Sequence, residues 1–278
     1  LILFTYLPFF KMVQFSFYDM KYIGERKFVG LENYIDVFTR DDCFNALKLS
    51  LYYMVGSMVQ LALALLFATI LSFNPKGGSF FRGALYFPSL VCGIAVGFIF
   101  KYFYTHGFVL DSILGLLGIP EDMLPFWLKD TRINNWVLVA SSIWRYMGQN
   151  MVLFIGAIAS VDKTQYEAAA IDGANAWHRF RYIILPSIRT IVVLNMILAI
   201  SGSLSVFEIP YVITDGGFGT STYFVLMDKL AHANQKVGLA SAMAVVLLVL
   251  ILVVSGIQKL AEKKMNSGVR VGKRRARK

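Results

Sequence analysis

The sequence predicts an all-α, polytopic membrane protein, with six transmembrane helices and one long helical loop on the side that carries both chain ends. Three observations carry this. Of 278 residues, 57% are hydrophobic and 16% charged, with a mean hydropathy of +0.60, whereas a soluble domain carries about a quarter charged residues. Apolar segments recur at the length needed to cross a bilayer, about 20 residues in a helix. The net charge of +10 is concentrated at one end, where Lys259–Lys278 holds nine basic residues against one acid, Glu262.

The elements follow in order. The apolar run before Lys11 is too short to span, so Leu1–Tyr18 is read as the later part of a helix that begins upstream rather than as a cleaved leader. Five further apolar segments lie at about Ala46–Phe73, Phe80–Tyr104, Asn134–Ser160, Ile183–Ile213 and Val237–Ile257. Each reaches across a bilayer with tilt. Residues 1–260 then form the membrane domain and residues 261–278 a basic tail, which the positive-inside rule assigns to the cytoplasm together with the other chain end. The loop Asn74–Arg82 carries Lys76 and Arg82 and no acid, which fits the same side. Asp19–Asn45 has six acids against four bases and His106–Ile133 four against two, and both fit outside. Trp127, Trp136, Tyr102 and Tyr104 fall at the outer interface, where amphipathic rings prefer to lie, and Lys11 and Lys101 are placed to snorkel there.

Several functions are disfavoured. The positive charge is a membrane-flanking tail, so no nucleic-acid partner is expected. Cys43 and Cys92 have no framework or metal-ligand spacing. His106, His178 and His232 are scattered over three loops, and no nucleophile–base constellation marks an enzyme.

The stretch Asp162–Pro186 is the most informative. It reads as two short helices joined by a tight turn. Asp162 caps the first, with Gln165 at the capping-box position. Ala168, Ala169 and Ala170 favour helix and leave one face nearly bare. Gly173 suits a left-handed helix end, Asn175 caps the second helix, and Pro186 kinks or breaks it at the membrane. Glu167 and Asp172 offer carboxylates to a basic partner surface.

The order Glu167-Ala168-Ala169, Asp172-Gly173-Ala174, Phe180 and Pro186, with its spacings, resembles the "EAA" loop of ABC importer permeases. The resemblance implies that this loop is a coupling helix seated in a cytoplasmic ATPase subunit. The sequence has no Gly-x4-Gly-Lys-Ser/Thr phosphate loop, so ATP and Mg are expected on that partner and no cofactor on this chain. Phe28-Val29-Gly30-Leu31-Glu32-Asn33-Tyr34 resembles the FVGLxNY segment of carbohydrate-type permeases of the maltose and glycerol-phosphate group. Phe207-Glu208-Ile209-Pro210 with Thr214-Asp215-Gly216-Gly217 resembles that group's end of the fifth span, although Phe218 stands where the pattern has proline. Gly238-Leu239-Ala240-Ser241-Ala242 opens the last span as in the group. The implied partners are a second, different permease, two ATPase subunits, an external solute-binding protein, the lipid bilayer and a carbohydrate. The implied location is a bacterial or archaeal cytoplasmic membrane.

Polar residues inside spans are costly and are candidates for function. The fourth predicted span bears Ser142, Arg145, Tyr146, Gln149 and Asn150, with Arg145 and Gln149 one turn apart on one face. Carried over from the maltose-type family, the substrate path falls on Ser142, Arg145, Tyr146 and Gln149, on Ser89 and Gly93 counted from Pro88, and on Gly202, Ser203 and Val206 counted from Pro186. Val206 is apolar, so the pocket differs from the maltose one. Arg145 needs a partner, either Glu208 or the solute. Gly202-Ser203 and Gly56-Ser57 read equally well as small-residue helix contacts. Two rivals remain: an importer of this class for amino acids, peptides or oxyanions, and an ion-coupled transporter for which Glu208 is the candidate intramembrane carboxylate.

Overall fold

A computed structural model describes residues 2–73 and 76–275. Asn74 and Pro75 of the predicted inner loop, and the last residues of the predicted tail, lie outside the described residues. In chain order the first elements are α1 (Leu7–Phe15), β1 (Tyr18–Met20), β2 (Arg26–Phe28), α2 (Glu32–Thr39), α3 (Asp41–Ser72), α4 (Gly78–Leu90), α5 (Gly93–Tyr104), α6 (Val109–Leu116) and α7 (Asn134–Ala159). The rest are α8 (Lys163–Ile171), α9 (Ala176–Arg179), α10 (Leu185–Ser187), α11 (Arg189–Leu204), α12 (Glu208–Thr214), α13 (Tyr223–His232) and α14 (Val237–Arg275). The two short strands are the departure from an all-α chain. The backbone of the basic segment continues the last helix to Arg275.

The chain folds as two compact units. One gathers the residues up to Leu51, Ser201–Tyr211 and those from Asp215 onward, and the other holds Tyr52–Ile200 and Val212–Thr214.

The first unit is built around α14. Val37, Cys43, Ala46, Tyr223, Leu230, Leu239, Met243 and Leu247 form its buried core, and the Tyr223 hydroxyl donates to the Met243 carbonyl at 3.1 Å. The first helix stops at Phe15 rather than Tyr18, because the chain turns into an antiparallel hairpin that pairs Tyr18 with Phe28 and Met20 with Arg26. The segment Phe28–Tyr34 closes that hairpin. Gly30, at φ +58°, makes the left-handed turn that side chains disfavour. Buried Asn33 donates from Nδ2 to the carbonyls of Ser16 (2.9 Å) and Tyr18 (3.0 Å). The Tyr34 hydroxyl lies 2.6 Å from Ser16 Oγ. At Gly238 the helix meets the hairpin so closely that a Cβ would stand 1.8 Å from the Tyr18 carbonyl oxygen. This segment therefore works as a clasp between the first helix, the hairpin and the last helix. Asn33→Ala leaves two carbonyls without their donor, at about 1–3 kcal/mol for each buried group. A markedly lower thermal midpoint of the detergent-solubilised protein is expected, and an unchanged midpoint would show the clasp to be dispensable.

In the second unit, Leu61, Ala64, Ala68 and Leu71 of α3 pack against Met151, Phe154 and Ile158 of α7 and against Ile184 and Ile188. Small residues let the helices approach. A Cβ on Gly56 would stand 2.2 Å from Val139 Cγ1, and one on Gly148 would stand 1.9 Å from the Leu85 carbonyl oxygen. Arg82 donates to the Leu71 carbonyl, satisfying an orphan group in the last turn of α3. Between α5 and α7 the predicted outer loop is ordered around a buried acid, Asp111. Asp111 accepts from the Gly107 amide and from Trp127 Nε1, each at 2.7 Å, and lies 2.8 Å from His106 Nδ1. In the same loop the Arg132 guanidinium holds the half-buried Asp130 carboxyl down at about 2.

Two predicted spans are not continuous. Phe80–Tyr104 breaks between α4 and α5, with Val91 and Cys92 extended and a bend of 99°. Pro88 lies one turn earlier, where it removes a backbone donor. Ile183–Ile213 enters through a π-helical turn, Phe180–Ile184, and the short α10 that contains Pro186, then opens again at 205–207 between α11 and α12. Among the described residues three helices, Asp41–Ser72, Arg189–Thr214 and Val237–Leu260, are long and apolar enough to cross a membrane, or four if α4 and α5 form one broken span. The predicted count is six. α1 is only nine residues long, and α7 has the length, but Arg145, Gln149 and Asn150 lower its hydropathy.

Candidate functional site

Two groups of residues stand out: the loop around α8 and α9, and the polar face of α7 with the break beside it. The loop folds as its sequence dictates. The Asp162 carboxylate accepts from the Thr164 amide at 3.0 Å, and this bond draws its pKa below the usual carboxylate value. α8 ends at Asp172. Gly173 has φ +74°, its amide donates to the Ala170 carbonyl, and the Ala174 amide donates to that of Ala169, the paired bonds of a Schellman end. Asn175 Oδ1 accepts from the His178 amide at 2.9 Å, and Arg179 Nε returns to the Ala174 carbonyl at 3.1 Å.

The loop has an anchored side and a free side. Tyr166 and Phe180 pack on the core of the second unit, and the Tyr166 ring meets Phe73, just past the end of α3, edge-on at 5.9 Å. Ile184 is fully buried. Glu167, Ala168, Asp172, Gly173 and Pro186 are exposed, while Ala169 and Ala174 are half-buried. Ile171, the last residue of α8, is 88% exposed, and Trp177 of α9 is 65% exposed. Sequence reasoning missed these two. The signal was present: large apolar side chains in a loop of charged and small residues.

Along α7, Ser142, Arg145, Tyr146 and Gln149 fall within two turns. The Arg145 guanidinium carbon lies 4.8 Å from the Tyr146 ring centroid, and Ser142 Oγ donates to the Leu138 carbonyl. α4 packs on α7 at Gly148, which meets Leu85 and Tyr86, and α5 packs on it through Phe100 against Trp144 at 5.2 Å. The break between α4 and α5, flanked by Ser89 and Gly93, therefore falls beside the polar stretch of α7. Ser89 Oγ donates to the Tyr86 carbonyl at 2.6 Å, and Gly93 is buried.

The remaining predicted path residues belong to the first unit. Gly202 is exposed with open space at its Cβ position, and Ser203 is buried. Val206 sits in the second break, where its carbonyl accepts from Thr222 Oγ1 at 2.7 Å. A helix interruption within a span needs such a replacement partner. Glu208 opens α12, where a carboxylate suits the positive end of the helix. Phe218, at the expected proline, has φ +53°. A proline ring forbids that value, so this turn differs from the proline form.

Residues 60–267 match the family described as the inner membrane component of binding-protein-dependent transport systems. The chain belongs to this family. As such a component it is a membrane protein, and the broken, partly polar helices are those of a transport subunit. Two curated relatives illustrate the similarity. One is the probable starch degradation products transport system permease AmyD of Thermoanaerobacterium thermosulfurigenes, 29% identical over 263 residues, covering 93% of this chain and 88% of that one. The other is the arabinooligosaccharides transport system permease AraP of Bacillus subtilis strain 168, 32% identical over 242 residues, covering 84% and 75%. The fold is shared with a solved chain of a bacterial alginate ABC transporter in complex with an alginate pentasaccharide-bound periplasmic protein, at TM-score 0.83 and 20% identity over 95% of this chain and 90% of that one.

Proposed function

We propose that this chain is one of two different permease subunits of an ATP-driven importer that moves a carbohydrate from an external binding protein into the cytoplasm. ATP and Mg are bound by a pair of separate ATPase subunits, and both ends of this chain face them. The observation that carries the reading is the capped α8–α9 loop, whose free side presents Glu167, Ile171 and Asp172 while Tyr166 and Phe180 tie it to the helical core. A partner cleft with basic and apolar groups fits that free side, and a push on it is passed to α3 and α7 through packed rings. The carbohydrate is supported by AmyD and AraP, which are named as permeases for starch degradation products and arabinooligosaccharides, and by the FVGLENY segment. Co-expression with candidate partners tests the assembly: this chain should purify with another permease and two ATPase subunits, and ATP should drive sugar uptake in liposomes. Uptake by the chain without any ATPase would overturn the reading.

Within this proposal the second unit contributes Ser142, Arg145, Tyr146 and Gln149 of α7 with Ser89 and Gly93 to substrate contact, and the first unit contributes Gly202, Ser203, Val206 and Glu208. Arg145→Ala then removes a charged hydrogen-bond donor, about 1.5–3 kcal/mol, and should raise the half-saturating sugar concentration by about tenfold or more while the complex assembles normally. An anionic sugar should lose most, because a guanidinium grips a carboxylate with two bonds. Poor assembly rescued by Glu208→Gln would instead identify Glu208 as the partner of Arg145. Unchanged uptake and assembly would exclude both roles.

A further inference from the structure

The first unit contains a pocket of about 410 Å³ that none of the path residues lines. This volume is in the range of small-molecule sites, about 300–1,000 Å³. It lies between facing stripes of α13 and α14, which pack on each other. On the α14 side stand Ser241 and Ala244, too small to fill the space. Phe224 of α13, Phe207 and Tyr22 supply three aromatic rings. At the edge, His232 Nδ1 lies 3.0 Å from Asp228 Oδ1 and the imidazole faces the Tyr22 ring at 5.7 Å. With Nδ1 held by the carboxylate, Nε2 is the ring nitrogen left for a ligand.

We propose that this pocket binds an uncharged, hydroxyl-rich glycosyl unit on the external side of the importer. The inference rests on the carbohydrate reading above. The apolar C–H face of a sugar ring stacks on aromatic rings, while its hydroxyl edge needs the mixed donors and acceptors that Asp228, His232, Tyr22 and Ser241 provide. A lipid acyl chain would leave those groups unused, and a phosphate headgroup would meet the Asp228 carboxylate. A few convergent polar groups in a largely apolar pocket is the ordinary design of a specific small-molecule site.

The test uses the assembled importer in nanodiscs with Phe224→Trp as a fluorescent reporter, read against the same complex without that substitution. Maltotriose and arabinotriose are titrated separately, and uptake is measured in parallel. A saturable change with at least one of them is expected. His232→Ala, at an exposed position that leaves the core intact, should weaken it by about fivefold to tenfold, and Ser241→Leu should abolish it by filling the space. No saturable change in a complex that takes up either sugar overturns the proposal, as does a change that both variants leave intact. Quenching by phospholipid with brominated acyl chains, without a sugar response, also overturns it and assigns the pocket to lipid. Should uptake fail while the reporter still responds to sugar, the importer reading falls and the pocket assignment stands.

Discussion

Gly173→Pro is expected to abolish ATP-driven uptake while leaving the chain inserted and assembled. Gly173 holds φ +74° and donates its amide to the Ala170 carbonyl. Proline fixes φ near −65° and has no amide hydrogen, so the Schellman end of α8 cannot form, at a cost of about 3 kcal/mol or more. Nothing lies within 4 Å of a Cβ placed there, so the effect is a backbone effect. Gly173→Ala is the graded control. It meets only the left-handed penalty, about 1–2 kcal/mol, and should retain partial uptake. The measurement is sugar accumulation per molecule of assembled complex. Normal uptake in Gly173→Pro would show that the geometry of this loop carries no coupling.

A large structural effect is expected at Gly148. Even the methyl of Gly148→Ala would stand 1.9 Å from the Leu85 carbonyl oxygen and 2.7 Å from the Tyr86 Cα. Both are backbone atoms of α4, so no side-chain rotamer relieves the contact and the two helices must separate. Overpacking a core typically costs about 1–3 kcal/mol, occasionally more, and a backbone contact belongs at the upper end. The separation would also shift the break at Val91–Cys92 relative to Arg145 and Gln149. Gly148→Ala should therefore give little assembled protein, and what assembles should bind sugar poorly. Gly156→Ala, with nothing within 4 Å of the added carbon, should be tolerated. Full assembly and uptake in Gly148→Ala would mean that α4 and α7 do not meet at this distance.

Local chemistry was legible in the sequence. Asp162, Gly173 and Asn175 act through hydrogen bonds and a backbone angle that involve near neighbours, so their residue types in that order specify the turn wherever the loop sits. The long apolar runs of α3 and α14 were equally plain, because transfer from water depends on composition. The membrane class and the resemblance to importer permeases rest on these local signals. What depends on contacts distant in the chain was not legible. FVGLENY reads as a family marker, and only the fold turns it into a clasp, because Asn33 finds its acceptors at Ser16 and Tyr18 and the Tyr18 carbonyl needs the bare Gly238, some two hundred residues on. Gly148 looks like one small residue among many until Leu85 is seen against it. Asp111 looks solvated until Trp127 and Gly107 surround it. The breaks at Val91–Cys92 and around Val206 lie inside runs apolar enough to continue as helix. Hydropathy sums over composition and cannot register that Thr222 supplies the hydrogen bond for the opened backbone at Val206. The sequence by itself determined the membrane, the loop and its caps. The tertiary structure decided where the helices open, which small residues carry contacts and which acids are buried, because each of those depends on a partner that the neighbouring sequence does not contain.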